Sequence, residues 1–269
     1  MRIFSISTLF IILNFSPLLA HEFWIDPVKF QINSKENIAA HFRVGTNFKA
    51  PSSSYLEQHA NRHEFAAGGK VLPLPALSGD RPAMQLRNAP DGLVVLIHET
   101  KNSSLTYDSW EKFMAFLESK NFDGVVANHL ARGLPDKGFE ETYRRYAKAL
   151  VAVGDGAGQD FETGLKIEIV ALKNPYTDDI SAGLPVQVLL DGAPRVGVQV
   201  EVFEKPADDL GSEASNITTY TTDAAGTVTL PVTPGHVYLV DNVAMLPVDE
   251  PGNPAVWHSI WASLTFAVP

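Results

Sequence analysis

The chain has 269 residues, no cysteine and a formal net charge of −10 at pH 7. Without cysteine it can form neither disulfides nor thiolate metal sites, so any bound metal would use histidine, carboxylate or amine ligands. An acidic chain is a poor match for nucleic acid or anionic lipid, and we expect neither as a partner.

The first twenty residues have the pattern of a secretory signal. Arg2 precedes an apolar run from Leu9 to Phe15, and a small residue, Ala20, ends the segment. The apolar run falls short of the roughly 20 residues that a membrane span needs. We therefore expect residues 1–20 to be removed. The mature chain would then begin at His21 and work in the periplasm or outside the cell, without inserting into a membrane.

The next segments alternate between strand and helix patterns. Residues 21–107 contain short β segments such as IAAHFRVG and GLVVLIHET, which predict an N-terminal β-sandwich. Residues 108–153 show a period near 3.6, which predicts a helical insertion of two helices. The apolar positions of the two helices are Trp110, Phe113, Met114 and Leu117, and then Tyr143, Tyr146, Ala147 and Leu150.

The remainder of the chain returns to a β pattern. Residues 154–164 are rich in glycine and aspartate and are interpreted as a linker. Residues 165–269 carry strand patterns separated by turns such as Asp191-Gly192, which predict a second sandwich. The expected fold is mainly β: two antiparallel β-sandwich domains, Ig-like or prealbumin-like, with an inserted helical pair.

Three segments resemble one known family: HEFWI at the mature start, LARGLPDKGFEETYRRYAKALVAVGD, and WHSIWASLTF near the C-terminus. They are similar to a periplasmic family of domains of unknown function, numbered 4198, whose members are also described as components of nickel or cobalt uptake transporters. The resemblance spans nearly the whole mature chain. It implies nickel or cobalt binding and a membrane metal transporter as partner.

A second resemblance concerns only the C-terminal domain. Its segments LDGAP, GVQV and TDAAG look like those of prealbumin-like sandwiches in surface adhesins and carboxypeptidase-type regulatory modules. This resemblance implies a scaffold and no reaction.

His21 is the main candidate metal ligand. Cleavage before it would free an α-amino group, which can chelate a metal together with the Nδ1 atom of the same residue. A second imidazole would complete a three-nitrogen site suited to copper, nickel or cobalt. The candidate partners are His41, His98 and His258, each in or beside a predicted strand. In the plainer interpretation, His21 is simply the first residue of a strand.

Two further patterns allow more than one interpretation. His59 and His63 are spaced like a helical metal pair, although Gly68-Gly69 favours a loop and hairpin there. Arg132, Arg144 and Arg145 would either pair with acids across the domain junction or form an anion-binding edge.

Enzyme motifs are absent from the sequence: it has no Gly-x-Ser-x-Gly elbow, no phosphate-binding loop and no His-Glu-x-x-His. Three hypotheses follow. The first is a non-enzymatic metal-binding or metal-delivery protein that uses His21. The second is a metal-independent binding or structural module. The third is an oxidative copper enzyme with an N-terminal histidine chelate.

Overall fold

The computed structural model describes residues 21–209 and 211–269, so the predicted signal segment, residues 1–20, lies outside the described residues. The described part contains strands, two α-helices and a 3₁₀ turn at Glu57–His59. The strands are β1 (Glu22–Pro27), β2 (Gln31–Ile32), β3 (Ile38–Gly45), β4 (Ser52–Ser53), β5 (Ala60–Ala67), β6 (Lys70–Pro73), β7 (Met84–Leu86), β8 (Gly92–Thr100), β9 (Ser103–Tyr107), β10 (Phe139–Val153), β11 (Ile167–Ala171), β12 (Leu184–Leu190), β13 (Ala193–Pro194), β14 (Gln199–Pro206), β15 (Asn216–Thr221), β16 (Thr227–Leu230), β17 (His236–Pro247) and β18 (Ala255–Val268). The helices are α1 (Trp110–Ser119) and α2 (Val125–Ala131).

One ten-stranded sheet runs through the molecule in the order β15-β14-β17-β18-β10-β8-β5-β6, with β2 and β9 also paired to β10. Its strands pair antiparallel except for β10 with β18 and β10 with β2, which are parallel. Two smaller sheets complete the fold. One has β1, β3, β4 and β7, and the other has β11, β12, β13 and β16.

The two small sheets cover opposite faces of the large sheet. On β8, Val94 and Leu96 are buried against residues of β1 and β3, such as Ile25 and Phe42. The alternate residues of β8, including Val95, are buried with apolar residues of β11 and β12. Because successive strand residues point to opposite faces, one strand supplies both cores. The mainly β sandwich fold with two helices is therefore confirmed, and the two sandwiches share a central sheet.

The expected helix around Tyr143–Leu150 is wrong, because these residues lie within β10 in the middle of the large sheet. Strand residues from Tyr146 onward are buried on both faces. Buried residues therefore occupy consecutive positions. Some of these positions are three or four apart, which imitates one face of a helix. Burial in the sheet overrides the helix propensity of alanine, lysine and leucine. Residues 154–164 therefore follow β10, a strand that both sandwiches share. They do not separate two independent sheets.

The helical insertion is thus confined to α1 and α2. Ser109 caps α1 by accepting a hydrogen bond from the Lys112 backbone N–H at 3.4 Å. The apolar face of α1 packs against Trp257 and Trp261 of β18, beside the small sheet that contains β1. Among the described residues, no helix has the length and apolar character needed to cross a membrane.

Candidate functional site

Two histidines face each other inside the N-terminal sandwich. His63 of β5 and His98 of β8 are directly opposite in the antiparallel register of these neighbouring strands. Their side chains lie on one face of the sheet, and the two Nδ1 atoms are 3.3 Å apart. Strand pairing thus fixes both imidazoles at close range, although 35 positions separate them along the chain.

Aromatic rings enclose the histidine pair. The Phe42 ring lies 4.2 Å from the His98 ring, and the Tyr55 ring lies 4.4 Å from the His63 ring, measured between centroids. Burial lowers the pKa of His63 to about 4 and that of His98 to about 3. Both imidazoles are therefore neutral at pH 7, and each has one nitrogen lone pair. His63 Nε2 is buried without a hydrogen-bond partner among residues 21–209 and 211–269.

A cleft of about 420 Å³ opens beside this pair. Its lining includes His98, the exposed His59, two basic residues and several hydroxyl and amide side chains. The full lining is Phe23, Phe42, Val44, Ser53, Ser54, Leu56, Gln58, His59, His98, Thr100, Lys101, Asn102, Ser103 and Arg145. The lining contains no carboxylate.

His21 lies at the rim of this cleft. It is exposed and immediately precedes β1. Its backbone carbonyl accepts a hydrogen bond from Arg145, a lining residue, at 3.1 Å. Two positions further on, the ring of Phe23 lies 5.7 Å from that of His98. Of the four predicted metal ligands, His98 lines the cleft, and His21 contacts a lining residue through its backbone carbonyl.

The other two predicted ligands lie elsewhere. His41 is on the outer face of β3, since Phe42 beside it points inward, and it is opposite Asp26 of β1. Burial and the nearby Arg43 lower its pKa. His258 of β18 makes a 2.9 Å hydrogen bond with the hydroxyl of Thr142.

His258 and His98 are on opposite faces of the large sheet. His258 lies on the face that carries Ile260, which packs against β11 and β12, whereas His98 lies on the face of Leu96, which packs against β1 and β3. His41 and His258 were each expected as a possible second imidazole for His21. The structure places neither of them beside His98, because His41 is on the outer face of β3 and strand alternation puts His258 on the opposite face of the large sheet.

For His59 and His63 the sequence allowed a helical metal pair but favoured a loop and hairpin. The structure agrees with the favoured interpretation, because His59 ends the 3₁₀ turn and His63 is in β5. The expected hairpin at Gly68-Gly69 does join β5 to β6. Glu99 cannot share the cleft with His98 because it points to the opposite face, where it pairs with Arg144 at 3.0 Å.

The site supplies only two close protein nitrogens. Within the described ranges, no three His, Asp or Glu side chains are arranged as a metal-ligand set. A metal ion at His63 and His98 would therefore complete its coordination with water, with the mature N-terminus or with a small molecule in the cleft.

No curated protein matches this chain. Among solved structures, the D0-D1 domain of Intimin aligns at 16% identity, covering 92% of this chain and 98% of that one, with a TM-score of 0.22. Residues 18–245 match the family described as Domain of unknown function (DUF4198). The match covers most of the sequence, and the chain belongs to this family.

Proposed function

We propose that this chain is an exported protein that binds a transition-metal ion, nickel, cobalt or copper, between His63 and His98. Imidazole nitrogens lie about 2.0–2.1 Å from a tetrahedrally coordinated metal ion, so two of them on one ion are about 3.3 Å apart. The Nδ1 atoms of His63 and His98 are separated by 3.3 Å. This agreement is the observation that carries the proposal.

The surroundings of the pair support metal binding in two further ways. Both imidazoles are neutral, and metal ligation requires an unprotonated nitrogen. The cleft gives an ion access to His98, and His21 at its rim would add an amine and an imidazole in a chain that begins at that residue. The N-terminal chelate thus becomes an additional donor beside a buried histidine pair.

The biological role follows from resemblance to nickel and cobalt uptake components. We propose a periplasmic or extracellular protein that holds the metal ion and passes it to a membrane transporter. The C-terminal strands would be a prealbumin-like scaffold. In support, Asp191 and Gly192 both have positive φ values and form the tight turn between β12 and β13, as the sequence suggested.

A metal-independent binding module is the second candidate. A distance of 3.3 Å between the Nδ1 atoms also allows one neutral imidazole to donate to the other. In that case the pair would be structural, and the cleft would bind its ligand without a metal ion.

Titration calorimetry with Ni²⁺, Co²⁺ and Cu²⁺ tests the proposal. The mature protein should bind one ion, and His63→Gln and His98→Gln should each lose that site. His236→Gln is the matched control, because His236 is at the start of β17, outside the cleft lining, and its imidazole lies 3.2 Å from the Pro234 carbonyl. Circular dichroism checks that the variants are folded. Unchanged affinity in both pair variants would refute this site, and no binding in any form would favour the metal-independent module.

A further inference from the structure

The cleft beside the histidine pair is basic in an acidic protein. Lys101 and Arg145 line it, and none of its lining residues is acidic. The whole chain, by contrast, has a formal net charge of −10. A free cation would be drawn to most of this surface but repelled by the cleft itself, whereas an anion would be attracted there.

Arg145 has hydrogen-bonding capacity that the protein does not use. Its Nε atom is buried and has no hydrogen-bond partner among the described residues. One terminal N–H group donates to the His21 carbonyl, and the guanidinium lies 4.7 Å from the centre of the Tyr143 ring. Neither contact supplies a negative charge. Burial lowers the pKa of Arg145, and the carboxylates of Asp241 and Glu22 offset only part of that shift because neither is within ion-pair distance.

The neighbouring arginines show the contrast. Arg144 forms an ion pair with Glu99, and Arg132 forms one with Asp249, each at 3.0 Å. In the part of the chain that the structure describes, no carboxylate is within ion-pair distance of Arg145 or Lys101. A half-buried guanidinium with no carboxylate in direct contact is only partly compensated by Asp241 and Glu22, and a carboxylate from a ligand would match its geometry.

The remaining lining suits a small polar ligand. Ser53, Ser54, Asn102 and Ser103 offer hydroxyl and amide groups, and the volume of about 420 Å³ is in the usual range for small-molecule sites. His98 is in the same lining, so a ligand held by Arg145 and Lys101 would also approach the histidine pair.

We infer that the cleft binds a small polycarboxylate anion that carries the metal ion with it. Carboxylates of this anion engage Arg145 and Lys101, and the ion that it chelates is shared with His98 and His63. The metal half of this inference rests on the proposed function. The anion half rests on the unpaired Arg145 and the all-basic charge of the cleft. Two protein nitrogens leave coordination positions open, and chelator oxygens would fill them.

Calorimetry at fixed pH and ionic strength with three probes tests the inference: Ni²⁺ alone, citrate alone, and preformed nickel–citrate. The wild-type protein should bind nickel–citrate more tightly than either component. Arg145→Gln and Lys101→Gln should each weaken nickel–citrate binding about tenfold, the usual loss for one charged hydrogen bond. Lys101→Gln, which removes no contact with His21, should not weaken the binding of Ni²⁺ alone. Lys70→Gln, an exposed change on β6 outside the cleft, should alter neither.

The three probes separate this inference from the proposed function. If citrate removes nickel from the wild-type protein, or if both charge variants bind nickel–citrate normally, the shared complex is refuted. If Ni²⁺ alone does not bind, the proposed metal function fails. The binding of citrate alone then tests whether the cleft is an anion site. Citrate binding that disappears in Arg145→Gln would support that site, and the absence of citrate binding would overturn it.

Discussion

The hydroxyl of Tyr107 donates a 2.7 Å hydrogen bond to the carboxyl group of Glu141 beneath the helical pair. Ser259 donates to the same carboxyl group from the neighbouring strand β18. These two donors favour the charged carboxylate, but burial outweighs them and raises the pKa of Glu141 to about 7. The group is therefore held near the point where it exchanges its proton at neutral pH.

This raised pKa makes Glu141 a pH-dependent contributor to stability. The folded protein binds the Glu141 proton more tightly than the unfolded chain, so its contribution is complete below about pH 4 and is lost as the pH rises through 7. Glu141→Gln removes this loss. The variant should match the wild type at pH 4 and be more stable at pH 8 by up to about 3 kcal/mol.

Urea unfolding at both pH values measures the difference. The pKa of Asp241 is also raised to about 7, but Asp241 is present in both proteins and cancels in the comparison. A constant difference across the pH range would contradict the raised pKa of Glu141.

Lys120 is expected to hold the end of α1 on the large sheet. Its Nζ atom lies 3.5 Å from Glu22 and 3.3 Å from Asp241, and it also contacts Glu201. Lys120→Met would leave these acids without their cation, and we expect a loss of about 3–5 kcal/mol at pH 8. At pH 5 protonation of Asp241, whose pKa is raised to about 7 by burial, should reduce that loss.

Lys112→Met is the control on the same helix. Lys112 forms an exposed pair with Asp108, so its loss should change stability far less than the loss of Lys120. Equal losses for Lys120→Met at the two pH values would show that carboxylate repulsion is not the cause.

A second buried lysine should attach the segment after β10 to the sheet. Lys148 lies 2.8 Å from Asp160 and 3.0 Å from Glu168, and all three side chains are at most 1% exposed. Lys148→Met should destabilise the protein by about 3–5 kcal/mol, and adding Asp160→Asn should restore part of it. Lys166→Met, which breaks an exposed pair with Asp191, should cost less than about 1 kcal/mol. Chemical denaturation measures the free energy of unfolding of these three variants. A double variant that is less stable than Lys148→Met would contradict the charge argument.

The N-terminus offers a test of export and of the chelate together. The intact mass of the protein recovered from an exporting host should correspond to a chain that begins at His21. A form with one extra residue before His21 should bind Ni²⁺ more weakly, because its α-amino group has become an amide. Equal affinity in the two forms would remove His21 from the site and leave His63 and His98 as the protein ligands.

Local sequence patterns predicted the strands and the first helix because those patterns depend on near neighbours. The segments IAAHFRVG and GLVVLIHET are β3 and β8, and Trp110–Ser119 is α1. The strand Phe139–Val153 was missed because it is buried on both faces, and such burial removes the alternation by which a strand is recognised.

The candidate site was only partly predictable for a different reason. His98 was identified from its position in a strand, but its partner His63 depends on the pairing of β5 with β8 and on their register. Two intervening strands, β6 and β7, separate them in the chain, and no spacing rule connects residues across such a gap. The unpaired state of Arg145 likewise depends on where distant acids lie in the fold.

The position of β18 affects the order in which the protein can be assembled. This C-terminal strand lies between β17 and β10, in the interior of the large sheet, and pairs with both along most of its length. A nascent chain that lacks it has two unpaired strand edges where the centre of the sheet should be. The sheet therefore closes only when β18 has been synthesised, and a stop codon before Ala255 removes its middle instead of its margin.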